Sequence, residues 1–164
     1  MRGPSKKAAW VAAFAVAATV LGFVLVTSAG AIDTPTTLTF VNHPVNETGI
    51  DVNGNHELDP ADGWVSYSQL LQDDVVAGKL VSSCQYVKVS PNGMKGVLQC
   101  VLTAELAEGQ ITVQGRMVLG PEAAPGLAFA VTGGTGDYSN VRGDVTGEPI
   151  QGSMDSTVTF SLVP

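Results

Sequence analysis

The sequence predicts an all-β fold: a single domain built as an eight-stranded antiparallel β-barrel. Three observations carry that prediction. After residue 35 no stretch sustains a 3.6-residue apolar period long enough for a helix. Instead, segments of alternating apolar and polar residues recur, rich in Val, Thr, Leu and Ile. The connections between them are short and rich in Gly, Pro, Asn and Asp. Eight short segments are too few for two large sheets, which favours a meander closed on itself. A β-sandwich is the alternative.

The strands follow in order. The first two are expected over residues 36–42 and 63–71, separated by a long acidic loop. The third and fourth, 79–90 and 94–106, flank Pro91-Asn92-Gly93. Ser90–Met94 fits a three-residue hairpin loop, with Pro91 opening a type I turn and Gly93 in the left-handed position. That loop pairs Ser90 with Met94 and, along the same ladder, Cys84 with Cys100. Cysteines directly opposite on adjacent strands are close enough to bond, so a Cys84–Cys100 disulfide is expected. Two separate buried thiols are the alternative. The fifth strand, 110–119, follows a turn at Glu108-Gly109 that pairs Ala107 with Gln110. The sixth, seventh and eighth are expected over 127–132, 139–147 and 153–163. Period two turns Leu80, Cys84, Tyr86, Leu98, Cys100 and Leu102 to one face, continued by Ala104, Ile111, Val113 and Met117. On the last strand Met154, Val158, Phe160 and Leu162 form the apolar set. An eight-stranded barrel is about the size that side chains fill or that holds one small ligand. Small inward residues such as Ala104 and Gly115 leave room for a cavity.

The N-terminus reads as an export signal. Arg2, Lys6 and Lys7 precede an apolar run from Ala8 to Thr27, and Ala29-Gly30-Ala31 has the small-x-small pattern of a cleavage site. Residues 1–31 are therefore expected to be a signal peptide cleaved after Ala31, and residues 32–164 a secreted or extracytoplasmic domain. An uncleaved membrane anchor is the alternative, since the run is about long enough to span a bilayer. Two cysteines in an exported chain fit a structural disulfide. Beyond residue 31 stand five basic residues against fifteen acidic ones, a net charge of −10. The five are scattered, so a phosphate backbone would be repelled and nucleic acid is excluded as a partner.

Several motifs have plainer readings. Gly133-Gly134-Thr135-Gly136 lacks the following Gly-Lys-Ser/Thr and a helix, so it reads as a tight connection needing positive φ, not a phosphate loop. Asp51, Asn53, Asn55, Glu57, Asp59 and Asp62 have the spacing of a calcium loop. His56 replaces the required glycine, Asp62 replaces the longer glutamate, and no helices flank it. An acidic loop held by Asx turns is the plainer reading, and no metal site is assigned. His43 and His56, the two histidines, fall in or beside loops with no nucleophile-elbow motif. Asn46-Glu47-Thr48 is an acceptor sequon for glycosylation.

Ala130 to Val145, with Gly133-Gly134-Thr135-Gly136 and Arg142-Gly143, resembles the signature segment of dirigent proteins and allene oxide cyclase barrels. Glu108 to Gly115 resembles the strand that precedes it there, and Asp62 to Asp74 an early strand with its acidic turn. Order and spacing agree over residues 36–163, nearly the whole chain after the export signal. The resemblance implies an eight-stranded barrel with an apolar pocket, needing no cofactor because a reactive substrate is steered by shape. It implies a small hydrophobic partner (a polyketide, oxylipin or phenolic) and self-association as a homo-oligomer. Leu98, Leu102, Met117 and Phe129 are the expected substrate-binding residues; a filled core is the alternative. Asp137, Arg142 and Tyr86 are the expected polar catalytic contacts, with a structural Asp137–Arg142 ion pair as the plainer reading. The function expected is cyclisation or stereoselective coupling of that substrate. A non-catalytic ligand-binding or cell-surface barrel is the rival, and a calcium-stapled adhesion module the third reading.

Overall fold

Strands form where the alternation predicts them, and they close. The computed structural model describes residues 33–164 except 122, 124 and 125; the export reading of residues 1–31 lies outside the described residues. The strands are β1 (Thr36–Ile50), β2 (Gly63–Gln72), β3 (Val75–Val89) and β4 (Gly96–Leu106), then β5 (Gly109–Leu119), β6 (Leu127–Gly134), β7 (Arg142–Pro149) and β8 (Ser156–Val163). Each pairs antiparallel with its sequence neighbour. β1 also pairs with β8, Thr36 to Asn42 against Leu162 to Ser156, so the sheet has no free edge. The predicted barrel is therefore the observed fold, and the sandwich is not.

Four single-residue bulges bend the ladders. Val45, Ala77, Val87 and Thr132 are the extra residues at the register shifts. Bulges of this kind add twist and let a short sheet curl shut. Val87 corrects one expectation. The β3–β4 loop holds four residues, not three, because Ser90 N–H donates to Lys95 O (2.9 Å) and Gly93 N–H to Ser90 O (2.9 Å). The bulge absorbs the extra residue, and Cys84 still falls opposite Cys100, where the disulfide forms. The next turn is also displaced: Leu106 pairs with Gly109, so Ala107 and Glu108 make the turn. That slip is two residues, which preserves every inward face.

β3 begins earlier than expected because Asp73 and Asp74 both take positive φ (50° and 62°), a two-residue hairpin turn that extends the ladder to Gln72↔Val75. β1 runs eight residues past its expected end, pairing only with β2 beyond Asn42. β7 starts at Arg142, and β8 starts at Ser156, so Met154 lies in the turn and is exposed. Val158, Phe160 and Leu162 are buried as expected.

One end of the barrel is plugged. Gly136–Tyr138 forms a single 3₁₀ turn, and Tyr138 and Val141 are buried with Ile111, Ala104 and Leu162. Gly136 has φ +60°, and a Cβ there would collide with the Glu108 carbonyl oxygen. The glycine-rich motif thus lets the connection lie directly on the β4–β5 turn, where Asp137 N–H donates to Glu108 O (3.0 Å). Tyr138 Oη donates to Glu108 Oε2 (3.3 Å). Burial, and then the neighbouring Glu108 carboxylate, push the Tyr138 phenol up to about 12.

The acidic loop 51–62 lies at the opposite end and is held by its own carboxylates. Asp51 accepts N–H bonds from Gly54 (2.7 Å) and His56 (2.9 Å); buried Asp62 accepts from Val52 (2.9 Å) and Asp59 (2.8 Å). The His56 N–H bond holds the Asp51 carboxyl below its ordinary value. His56 itself takes the left-handed conformation, φ 62°, that glycine would supply. Among the described residues no three His, Cys, Asp or Glu side chains gather as a metal site.

Two outcomes follow for stability. The bridge spans a separation of 16 residues, so replacing Cys84 and Cys100 together by Ala is expected to cost about 3 kcal/mol in denaturant unfolding. The folded-state pKa of Tyr138 is raised, so its contribution is full below pH 10 and lost as pH rises from 10 towards 12. The Tyr138 part of the folded protein's phenolate absorbance should appear only near that upper value, and Tyr138→Phe should remove this late component.

Candidate functional site

The barrel interior is not filled. A cavity of about 240 Å³ occupies the half nearest the β5–β6 and β7–β8 connections. That volume is just below the roughly 300–1,000 Å³ usual for small-molecule pockets. A shallower recess shares Met117, Leu127, Gly147 and Ser156 with it, beneath the β5–β6 connection.

Alternation builds the two walls. Along β2, Trp64, Ser66 and Ser68 turn inward with fully buried Leu70; along β3, Leu80, Ser82 and Cys84 do the same. Ser66 and Ser82 are cross-strand partners with hydroxyls 2.6 Å apart. Asn42 of β1 donates from Nδ2 to Ser156 Oγ of β8 (3.3 Å), and its buried Oδ1 has no hydrogen-bond partner. The bulge at Val45 reverses the parity of β1, which brings the exposed Glu47 to the rim. Every polar side chain of the lining therefore comes from the adjacent strands β8, β1, β2 and β3. Strands β4 to β7 present Leu102, Val113, Met117, Leu127, Phe129 and Val145. The Cys84–Cys100 bridge joins the two walls.

Three of the four expected substrate-binding residues, Leu102, Met117 and Phe129, line the cavity. Leu98 does not: it is fully buried beside Tyr86 and Met117 in the ladders, outside the cavity lining. Tyr86 is also absent from the lining. Its ring packs edge-on against Trp64 (centroids 6.0 Å apart) and over Gly96, where a Cβ would collide with it. Burial pushes its phenol pKa up. Asp137 and Arg142 stand at the plugged end, because β6 finishes and β7 begins there. Arg142 is exposed, and no ion pair joins it to Asp137. Buried Tyr138 and Val141 fill that end, and neither Asp137 nor Arg142 lines the cavity. The structure thus does not gather the expected polar contacts in the pocket. The serine–asparagine wall takes that place. Its signal was present in the alternation Trp64-x-Ser66-x-Ser68-x-Leu70, where serines share the parity of large apolar residues.

Comparison with known proteins agrees with this architecture. No protein-family model and no curated protein matches the chain. Solved structures do match. One described as pyocyanin demethylase superposes with a TM-score of 0.65 at 25% identity, covering 78% of this chain and 100% of that one. The Diels-Alderase AbmU from Streptomyces koyangensis gives 0.62 at 14%, over 79% and 70%. The pterocarpan synthase dirigent protein GePTS1 gives 0.59 at 17%, over 92% and 96%. The chain shares the closed barrel fold of these three structures, the architecture that the resemblance implied.

Phe129 closes the apolar wall over Gly115, and a Cβ at Gly115 would collide with its ring. Gly115→Ala is expected to drive that ring towards the cavity and to destabilise the barrel by about 1–3 kcal/mol. Denaturant unfolding, with the Phe129 ring resonances as the local probe, measures both effects.

Proposed function

We propose that this protein is exported, binds one small hydrophobic molecule inside the barrel and templates its cyclisation or stereoselective coupling. The observation that carries the reading is the cavity itself, walled by apolar side chains on one side and by fixed polar groups on the other. A cavity of that kind holds a reactive molecule in one conformation, and orientation alone can supply much of a barrier reduction. Structural neighbours described as a Diels-Alderase and as a pterocarpan synthase dirigent protein support the reading. So does the neighbour described as a demethylase, to the extent of a small-molecule substrate.

The rival is a barrel that binds without catalysis. Inward polar groups favour templating over storage, since a plain reservoir for apolar molecules gains nothing from hydroxyls that must be desolvated. Substrate contact falls to Leu102, Met117 and Phe129 on one wall, and to Asn42 and Ser82 on the other. Arg142 and Asp137 stand at the plugged end, outside the cavity lining.

Naphthalene is a simple probe of the cavity. It is expected to bind saturably, followed by the Met117 methyl resonance. Leu102→Trp, which fills the space, should weaken binding roughly tenfold or more, while Arg142→Ala leaves it unchanged. Saturable binding indifferent to Leu102→Trp removes the cavity from the function.

A further inference from the structure

We infer that the cavity takes an amphiphilic cation: a ligand whose apolar body enters the barrel while one ammonium group stays at the rim, between Glu47 and Trp64. The inference rests on the cavity-binding reading above and adds to it the charge of the ligand.

The register of β1 on β2 builds a seat at the rim. Among the described residues that line the cavity Glu47 is the one charged side chain, with no Lys, Arg or His beside it in the lining. It is exposed, and no cation among the described residues forms an ion pair with it. Glu47 stands opposite Ser66 and Gly49 opposite Trp64, with no bulge between them, so Glu47, Gly49 and Trp64 share one face of the ladder. Diagonal neighbours on one face are within reach of long and aromatic side chains. A Cβ added at Gly49 would meet nothing within 4 Å, so the place its side chain would take is open. The Trp64 ring is held by Tyr86, packed edge-on against it with centroids 6.0 Å apart. An ammonium entering this gap meets a carboxylate and an indole, and both attract a cation.

Two further features act in the same direction. Deeper on the polar wall the unpartnered buried atom is again an acceptor, Asn42 Oδ1, so the wall favours ligands that bring N–H donors. The open end of the barrel carries Asp51, Glu57, Asp59, Asp62, Glu148 and Asp155 against Lys88 and Lys95, a field that draws cations and repels anions. An ammonium at an exposed rim keeps part of its hydration, so its charge is not carried into the apolar space. Only the body is buried, against Met117, Phe129 and Phe160. A carboxylate at the same rim would face Glu47 with no cation to pair it.

Three probes of one shape test this at neutral pH: 2-(aminomethyl)naphthalene, which is protonated, the neutral 2-(hydroxymethyl)naphthalene, and the anion 2-naphthoate. Each is titrated into the protein and followed by the Met117 methyl resonance. A rim ion pair with an indole contact makes the amine bind about three- to tenfold tighter than the alcohol. The carboxylate should bind more weakly than the alcohol by about threefold or more. In Glu47→Gln the preference for the amine should fall about threefold or more, with alcohol binding retained, whereas Glu105→Gln, which removes the same charge from the other end of the barrel, should leave the preference intact. Equal binding of amine and alcohol, a preference that survives Glu47→Gln, or one lost equally in Glu105→Gln overturns the inference and leaves the cavity-binding reading standing. Tighter binding of the carboxylate than of the alcohol overturns it also. If none of the three binds, the cavity-binding reading itself fails. Should Glu47→Gln not fold, the unaltered protein decides: nuclear Overhauser contacts from the amine's methylene protons to Glu47 and Trp64 support the inference, and their absence overturns it.

Discussion

Closure of the sheet between β1 and β8 is the constraint on which the rest depends. Once Thr36 to Asn42 hydrogen-bond with the last strand, the ladders have no edge and every strand has one inside and one outside. Inward residues then have nowhere to go except a space about one molecule wide. Large side chains fill part of it: Phe160, Leu70, Leu98 and Ile111 are fully buried. Where the inward residues are serines and glycines instead, the space stays open. The cavity is thus a direct outcome of residue size at alternate positions in a closed sheet.

The same period of two explains what was legible in the sequence. A loop one residue longer than expected would have flipped β3 against β4, but the Val87 bulge restored the parity. The misplaced β4–β5 turn slipped by two, which leaves faces untouched. Lengths were read less well. Pro44 and Gly78 look like strand breakers, yet Pro44 sits next to a bulge and Gly78 next to another, positions where such residues are tolerated. The apolar half of the cavity, Leu102, Met117 and Phe129, was visible because large apolar residues announce an interior. Its polar half was not, since serine and asparagine are common on surfaces and in turns, and only their parity betrays them. Asp137 and Arg142 were misplaced relative to the pocket because a motif shows which residues are near in sequence, not which end of a barrel they occupy.

The two ends of the barrel answer different demands. The Gly-Gly-Thr-Gly connection packs Tyr138 and Val141 into one end and lies against the β4–β5 turn. What the sequence shares most visibly with dirigent-like barrels is therefore the stopper. The opposite end, with its cavity, is built from Asn42, Ser66, Ser82, Met117 and Phe129, residues outside the resemblance's central motif or embedded in plain strand. A likeness carried by the stopper speaks for the shape of the vessel. The polar side chains of the cavity wall, Asn42 and Ser82 among them, lie outside that motif.

The disulfide described in the β3–β4 ladder is more than a brace for the fold. Both of its sulfur-bearing residues stand in the cavity wall, at the line where the polar strands meet the apolar ones. Two strands already paired in the ladder are there fastened covalently as well. The bond thus fixes two residues of the wall inside a ladder that already pairs their neighbours on both sides. In an oxidising milieu that seam is held by a covalent bond as well as the ladder; in a reducing one the backbone pairing of β3 and β4 would hold it alone.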